Sequence, residues 1–188
     1  MSDLDSRDKL LRTASKLFRQ KGYSGVGLTE ILTEAGLPKG SLYYHFPDGK
    51  AELADAATRW AGHWLEALLE KAFSTADSFE AGALAACEAI ATEVTTRTHV
   101  PACPVLSILQ ATPIEPRLQI TAREVYEGWT RCIEAHAVRL GHPDPQGEAF
   151  SLHIKLQGAW VIAFARQSGE PFILLARALR RALPLTAS

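Results

Sequence analysis

The chain has 188 residues, of which 47% are apolar and 22% charged, and its formal net charge is −1, so it is an ordinary globular composition and not a basic chain overall. No stretch reaches the roughly 18 uninterrupted apolar residues that a membrane span needs, and the N-terminus, MSDLDSRDK, lacks a signal peptide's apolar run; the expected location is cytoplasmic. The length suits a small module fused to a larger helical body, and the positive charge is local, with 8 Lys/Arg against 6 Asp/Glu in residues 1–50 and 12 against 15 in residues 51–188.

Ser6 is the expected N-cap of a first helix whose Leu10, Ala14, Leu17 and Phe18 form an apolar stripe before Gly22 ends it. Arg7, Lys9, Arg12, Lys16, Arg19 and Lys21 crowd this helix, a patch able to give salt-dependent affinity for a phosphate backbone; a solvated helix face is the plainer reading. Tyr23 to Gly27 is a loop. Leu28, Ile31, Leu32 and Ala35 then recur at the i, i+3, i+4, i+7 spacing of one helical face. Gly36 can close that helix in the left-handed conformation, and Pro38 suits the first turn of the next. That next helix, Lys39 to Phe46, is too short to stand alone. It carries Lys39, Ser41, Tyr43, Tyr44 and His45, all hydrogen-bond donors, while Leu42 and Phe46 can pin its other side to the protein.

Asp48 is the expected cap of a long helix from about Lys50 to Phe73, which joins the two parts of the chain and is the natural lever between them. Further helices are expected from about Ser78 to Thr98, from Cys103-Pro104 to Ala111, from Pro116 to about Leu140, from Gln146 to Gln167 and from Pro171 to Leu183, with a turn at Gly141-His142-Pro143-Asp144-Pro145. The fold class is therefore all-α with about nine helices. Residues 6–66 form the N-terminal three-helix module and residues 67–188 a helical body.

Two helices joined by a short glycine-containing turn, the second rich in donors, describe a helix-turn-helix DNA reader. AGLPKGSLYYHF, followed by Lys50, resembles the signature of TetR-type transcriptional repressors, specifically from Leu28 to Leu53 and in architecture beyond. The chain departs from that pattern at Gly27, where Ser or Thr usually caps, at Thr29, where many members place a phosphate-contacting arginine, at Pro38 in place of an N-cap serine, and at Leu32 in place of alanine. The Pro47-Asp48-Gly49-Lys50 segment is also one residue longer than the commonest spacing.

The resemblance implies a homodimeric repressor that binds a near-palindromic operator on double-stranded DNA and is released by a small apolar or aromatic effector. Its DNA contacts are expected at Thr29, Lys39, Gly40, Ser41, Tyr43, Tyr44, His45 and Lys50, with Lys39 best suited to a guanine edge and Tyr43 and His45 to phosphates. One of the two adjacent tyrosines is as readily expected to be part of the core. In the body, Trp60, Trp64, Cys103, Trp129, His153, Gln157 and Trp160 are candidate effector contacts, though aromatic pairs at helical spacing are more often core. Cys103-Pro104-Val105 resembles a segment in the subgroup of lincomycin-resistance repressors. Leu152, Leu156, Trp160, Ile173, Leu174 and Leu179, on the last two helices, are expected to pair the subunits.

Cys87, Cys103 and Cys132 are odd in number and widely spaced, so neither a disulfide scaffold nor a metal motif is expected. A thiol-redox-sensing regulator is one rival reading. A small helical enzyme or carrier is another, but no HExxH, GxSxG, P-loop or GxGxxG occurs and the six histidines do not cluster in sequence. No cofactor, no metal and no catalytic residue is expected.

Overall fold

A computed structural model describes residues 3–96 and 99–182, and among them it contains nine helices and no strand. The helices are α1 (Asp3–Lys21), α2 (Leu28–Ala35), α3 (Lys39–His45), α4 (Lys50–Ser74), α5 (Phe79–Thr95), α6 (Leu106–Leu109), α7 (Pro116–Arg139), α8 (Pro145–Arg166) and α9 (Glu170–Ala182). They form two compact units. Residues 3–64 and Ala102–Tyr126 make the first, Leu65–Pro101 and residues 127–182 the second. Helices α4 and α7 each contribute to both. No described helix is long and apolar enough to cross a membrane.

The all-α expectation holds element by element, with corrections at the ends. Helix α1 begins at Asp3, so Ser6 lies inside it and is not a cap. The expected helix ending at Ala111 is only the single turn α6. Asp48 does not cap α4 with its side chain. Its backbone N–H is instead held by the Glu52 carboxylate at 2.9 Å, and its own carboxylate accepts from Arg117 Nη2 at 2.7 Å. The expected ends at Thr98 and Leu183 lie outside the described residues.

Core residues of the first unit come from every element in it: Leu10, Ala14 and Phe18 of α1, Ile31 and Leu32 of α2, Leu42 of α3, Leu53 and Ala57 of α4, Ile108 of α6 and Leu118 of α7. The 102–126 segment is fastened to the N-terminal helices by polar bonds that no periodicity signals. Arg19 Nε donates to the Ala102 carbonyl at 2.7 Å, and the Tyr23 N–H to the Ser107 carbonyl at 3.3 Å. The Thr121 hydroxyl and Arg59 Nε both donate to Asp55 Oδ1 at 2.7 Å, and Arg59 also pairs with Glu124 at 2.6 Å.

In the second unit, α5 starts at Ser78, whose hydroxyl accepts from the Ala81 N–H at 3.1 Å, and packs so closely on α4 that a Cβ on Gly82 would fall 2.1 Å from the Phe73 ring. Trp160 donates its indole N–H to the Pro101 carbonyl at 2.9 Å and sets its ring edge-on to Phe172. Leu152, Leu156 and Trp160 are therefore interior residues of this unit, a correction to their expected place between subunits. The apolar residues that α8 and α9 leave outside are Phe150, Ile154, Val161, Ile162, Phe164, Ile173 and Leu174.

Candidate nucleic-acid interface

The turn between α2 and α3 is built from backbone hydrogen bonds. Gly36 sits at φ 65°, ψ 36°; its N–H reaches the Thr33 carbonyl at 3.2 Å and the Leu37 N–H reaches the Leu32 carbonyl at 3.0 Å. This pair of bonds closes a helix only when the residue between can adopt a left-handed backbone, which glycine does without strain. Pro38 follows at φ −71° in extended conformation, and the Ser41 N–H bonds back to its carbonyl at 3.0 Å to start α3. Leu42 and Phe46 are completely or almost completely buried. Those two anchors hold seven residues of helix that could not persist alone.

With that side pinned, the other side is fixed in direction. Lys39, Gly40, Tyr43 and Tyr44 are exposed, Ser41 and His45 half-buried. Tyr43 is 47% and Tyr44 71% exposed, so neither ring is core. The His45 imidazole meets the Tyr44 ring edge-on at 4.9 Å between centroids. A Cβ on Gly40 would touch nothing in the chain itself. Thr29 is exposed in the first turn of α2, and its carbonyl accepts from the Thr33 hydroxyl at 2.8 Å. Between α2 and α3 lies an open cleft of about 370 Å³, rimmed by Thr29, Thr33, Lys39 and Tyr43 over Leu28, Leu32, Leu37 and Leu42.

The cations behind this face are less available than their number suggests. On α1, Lys16 pairs with Glu34 at 2.6 Å and Lys21 with Glu30, both across to α2; Lys9 pairs with Asp5 at 3.0 Å. Arg19 is turned inward to Ala102, and Arg7 stacks over the Phe46 ring. Two of the six expected cations, Lys16 and Lys21, thus bridge α1 to α2. Lys50, half-buried, holds its ammonium 4.2 Å from the centre of the Tyr23 ring, and burial pushes its pKa below the ordinary lysine value.

The candidate effector residues divide between the units. Trp60, Trp64 and Cys103 belong to the first, the two tryptophans partly exposed and Cys103 fully buried; Trp129, His153, Gln157 and Trp160 belong to the second. There Trp129 and His153 meet edge-on at 5.9 Å, and His153 Nδ1 lies 2.7 Å from the Thr130 hydroxyl. Burial lowers the His153 pKa, which keeps the ring neutral at pH 7.

All three thiols are free and buried. Burial pushes Cys87 and Cys132 up to about 12 and raises Cys103 as well. Burial of this kind favours the protonated, less nucleophilic thiol. Sequence spacing also concealed one grouping: Glu70 of α4 lies beside Cys132 and His136 of α7, 62 and 66 residues away in the chain, with potential ligand atoms all within 4.8 Å of one another.

Residues 10–57 match the family model described as bacterial regulatory proteins, tetR family, and residues 81–178 match that of the transcriptional regulator LmrA/YxaF-like C-terminal domain. The chain is 30% identical over 177 residues to the HTH-type transcriptional regulator YxaF of Bacillus subtilis, covering 92% of each, and 27% identical over 176 residues to LmrA of the same organism, covering 92% of this chain and 94% of that one. Among solved structures, the reduced form of Escherichia coli NemR superposes with a TM-score of 0.82 at 21% identity, covering 98% of this chain and all of that one.

Proposed function

This chain belongs to the TetR family of bacterial transcriptional regulators and is not an enzyme, and from that premise we propose that it represses transcription as a cytoplasmic homodimer whose α2–α3 pairs read a near-palindromic operator until a small apolar or aromatic effector releases it. The observation that carries the DNA half is the division of α3 into a pinned side, Leu42 and Phe46, and an open side, Lys39, Gly40, Tyr43 and Tyr44. In this reading Lys39 meets a base edge, with guanine O6 and N7 as its acceptors. Gly40 lets the DNA backbone come close. Thr29, Ser41, Tyr43, Tyr44 and His45 bond phosphates and set the register. Lys50 reaches a phosphate from the start of α4 once it leaves the Tyr23 ring.

One α3 spans too few bases to specify a site, so two copies one helical turn apart are required. Support for the pairing comes from α8 and α9, where Phe150, Ile154, Val161 and Ile173, Leu174 form exposed apolar rows. Exposed apolar rows are what a protein interface covers, and a two-fold axis would close four helices, two from each protomer.

For the effector, the candidate contacts in the second unit are Trp129, His153, Gln157 and Trp160, apolar rings with a few polar groups among them. Helices α4 and α7 run unbroken from one unit into the other, so a ligand that prefers one arrangement of them in the second unit biases the first. A coupling of about 1–3 kcal/mol changes operator affinity roughly 5- to 150-fold. Footprinting on the operator tests the assignment: Lys39→Ala and Tyr43→Ala abolish specific protection while sedimentation still reports a folded dimer. Full protection by both variants defeats it.

A further inference from the structure

Side chains from two helices of the second unit converge on one point that the DNA reading does not use. Cys132 and His136 lie four residues apart on α7 and so face the same way. Glu70 reaches them from α4. Its Oε1 accepts from Cys132 Sγ at 3.4 Å and its Oε2 from His136 Nε2 at 2.9 Å. Cys132 and His136 are buried, whereas the Glu70 side chain is open to solvent, so the group is walled on one side and accessible on the other.

We propose that Glu70, Cys132 and His136 bind a zinc-class divalent ion, with the fourth position left to water. The donor set selects the metal. Sulfur and imidazole nitrogen do not suit Mg²⁺ or Ca²⁺, which take oxygen ligands, but they suit Zn²⁺ and its tetrahedral relatives. A Zn²⁺ bound at its usual ~2.0–2.3 Å keeps neighbouring ligand atoms about 3.5 Å apart. The Sγ–Oε1 and Nε2–Oε2 distances of 3.4 and 2.9 Å already approach that, so the ion requires small side-chain rotations and no helix movement. Glu66 stands one turn before Glu70 on α4 and acts electrostatically on Cys132, so it adds negative potential at the site.

The charges balance on binding. The ion displaces the Cys132 thiol proton to solvent and takes the place of the hydrogen that His136 Nε2 shares with Glu70, and the imidazole stays neutral by carrying its proton on Nδ1. Thiolate, carboxylate and a divalent cation then sum to zero, which suits a partly buried site. The Phe73 ring lies flat against the imidazole, 16° from parallel at 5.2 Å, and fixes its plane. Arg139 is the one group that must yield. Its Nε and Nη2 lie 3.4 Å from Nδ1, a long contact, while Nη2 is held at 2.8 Å by the Phe73 carbonyl; the guanidinium keeps the second bond and gives up the first.

The test is a titration of the tag-free, chelator-stripped full chain with Co²⁺ and then Zn²⁺. One equivalent of Co²⁺ per chain is expected to give tetrahedral visible bands and a thiolate-to-cobalt band in the near ultraviolet, both removed by Zn²⁺. Cys132→Ser should lose the thiolate band, and Cys103→Ser should keep it. Glu70→Gln, at an exposed position that leaves the fold intact, should weaken Zn²⁺ binding by more than the ~10-fold that even an outer-shell group is worth. A Co²⁺ spectrum with no thiolate band, a band that survives Cys132→Ser, or Zn²⁺ affinity unchanged in Glu70→Gln overturns the proposal, whatever becomes of the DNA assignment.

Discussion

Tyr43→Phe isolates one bond in the proposed interface. It removes a single hydroxyl from a ring that is 47% exposed, so stability should change by no more than about 0.5 kcal/mol. A hydrogen bond to a charged phosphate oxygen is worth about 1.5–3 kcal/mol. A two-fold dimer makes it twice, so about 3–6 kcal/mol of operator affinity depends on it, or two to four orders of magnitude in Kd at about 1.4 kcal/mol per tenfold. Fluorescence anisotropy with a labelled operator measures the loss. Because the hydroxyl is neutral, it releases no counterion, and the slope of log Kd against log salt should stay that of the parent. An intact dimer binding within about threefold of the parent, or a changed salt slope, refutes the reasoning.

Leu42→Ala empties a fully buried position under α3 and should destabilise the chain by about 2–5 kcal/mol, read as a lowered denaturant midpoint; an unchanged midpoint would mean that α3 is not pinned there. Ile154→Glu puts a carboxylate on the exposed apolar row of α8 and, acting twice across a two-fold axis, should weaken pairing by at least about 3 kcal/mol, seen by sedimentation as monomers. A dimer that withstands it places the interface elsewhere. His153 has its pKa lowered by burial from the ordinary 6.5, so below about pH 6.5 the unfolded chain takes up a proton that the folded one refuses, and stability falls as pH drops through that value. The fall should be shallower in His153→Gln in pH-dependent denaturant melts, and an identical profile in the two proteins would remove His153 as its source.

The reader was legible because its signals are local. The Leu28/Ile31/Leu32 stripe, the left-handed Gly36 and the extended Pro38 each act within a few residues of themselves, and a glycine or proline signal survives whatever the rest of the chain does. Helix ends were harder. Ser6 looks like a cap only if the helix begins there, and the chain continues α1 back to Asp3; Asp48 is drawn instead to Arg117, 69 residues away. Nothing in the spacing of residues 102–126 says that they belong with α1 and α4, because Arg19 to Ala102 and Thr121 to Asp55 are single polar bonds between distant segments. Cys132, His136 and Glu70 escaped for the same reason: only one of their two spacings is helical.

Helix α8 shows where periodicity stops deciding. Leu152, Leu156 and Trp160 form one apolar row and Phe150, Ile154 and Val161 another, so a helix apolar on both sides has a core face and an exposed face that the pattern cannot rank. The structure ranks them, because the Trp160 N–H is bonded to the Pro101 carbonyl and its ring lies on Phe172. A side chain tied to its own chain in this way is not free to join a second copy. Charge follows the same logic on α1, where Lys16 and Lys21 are neutralised by Glu34 and Glu30 of α2. Those pairs orient α1 against α2, which packs on α3, so Lys16 and Lys21 help to hold the shape of the helix-turn-helix, and in the proposed interface the contacts fall instead to Lys39, Gly40, Lys50 and the donors of Thr29, Ser41, Tyr43, Tyr44 and His45.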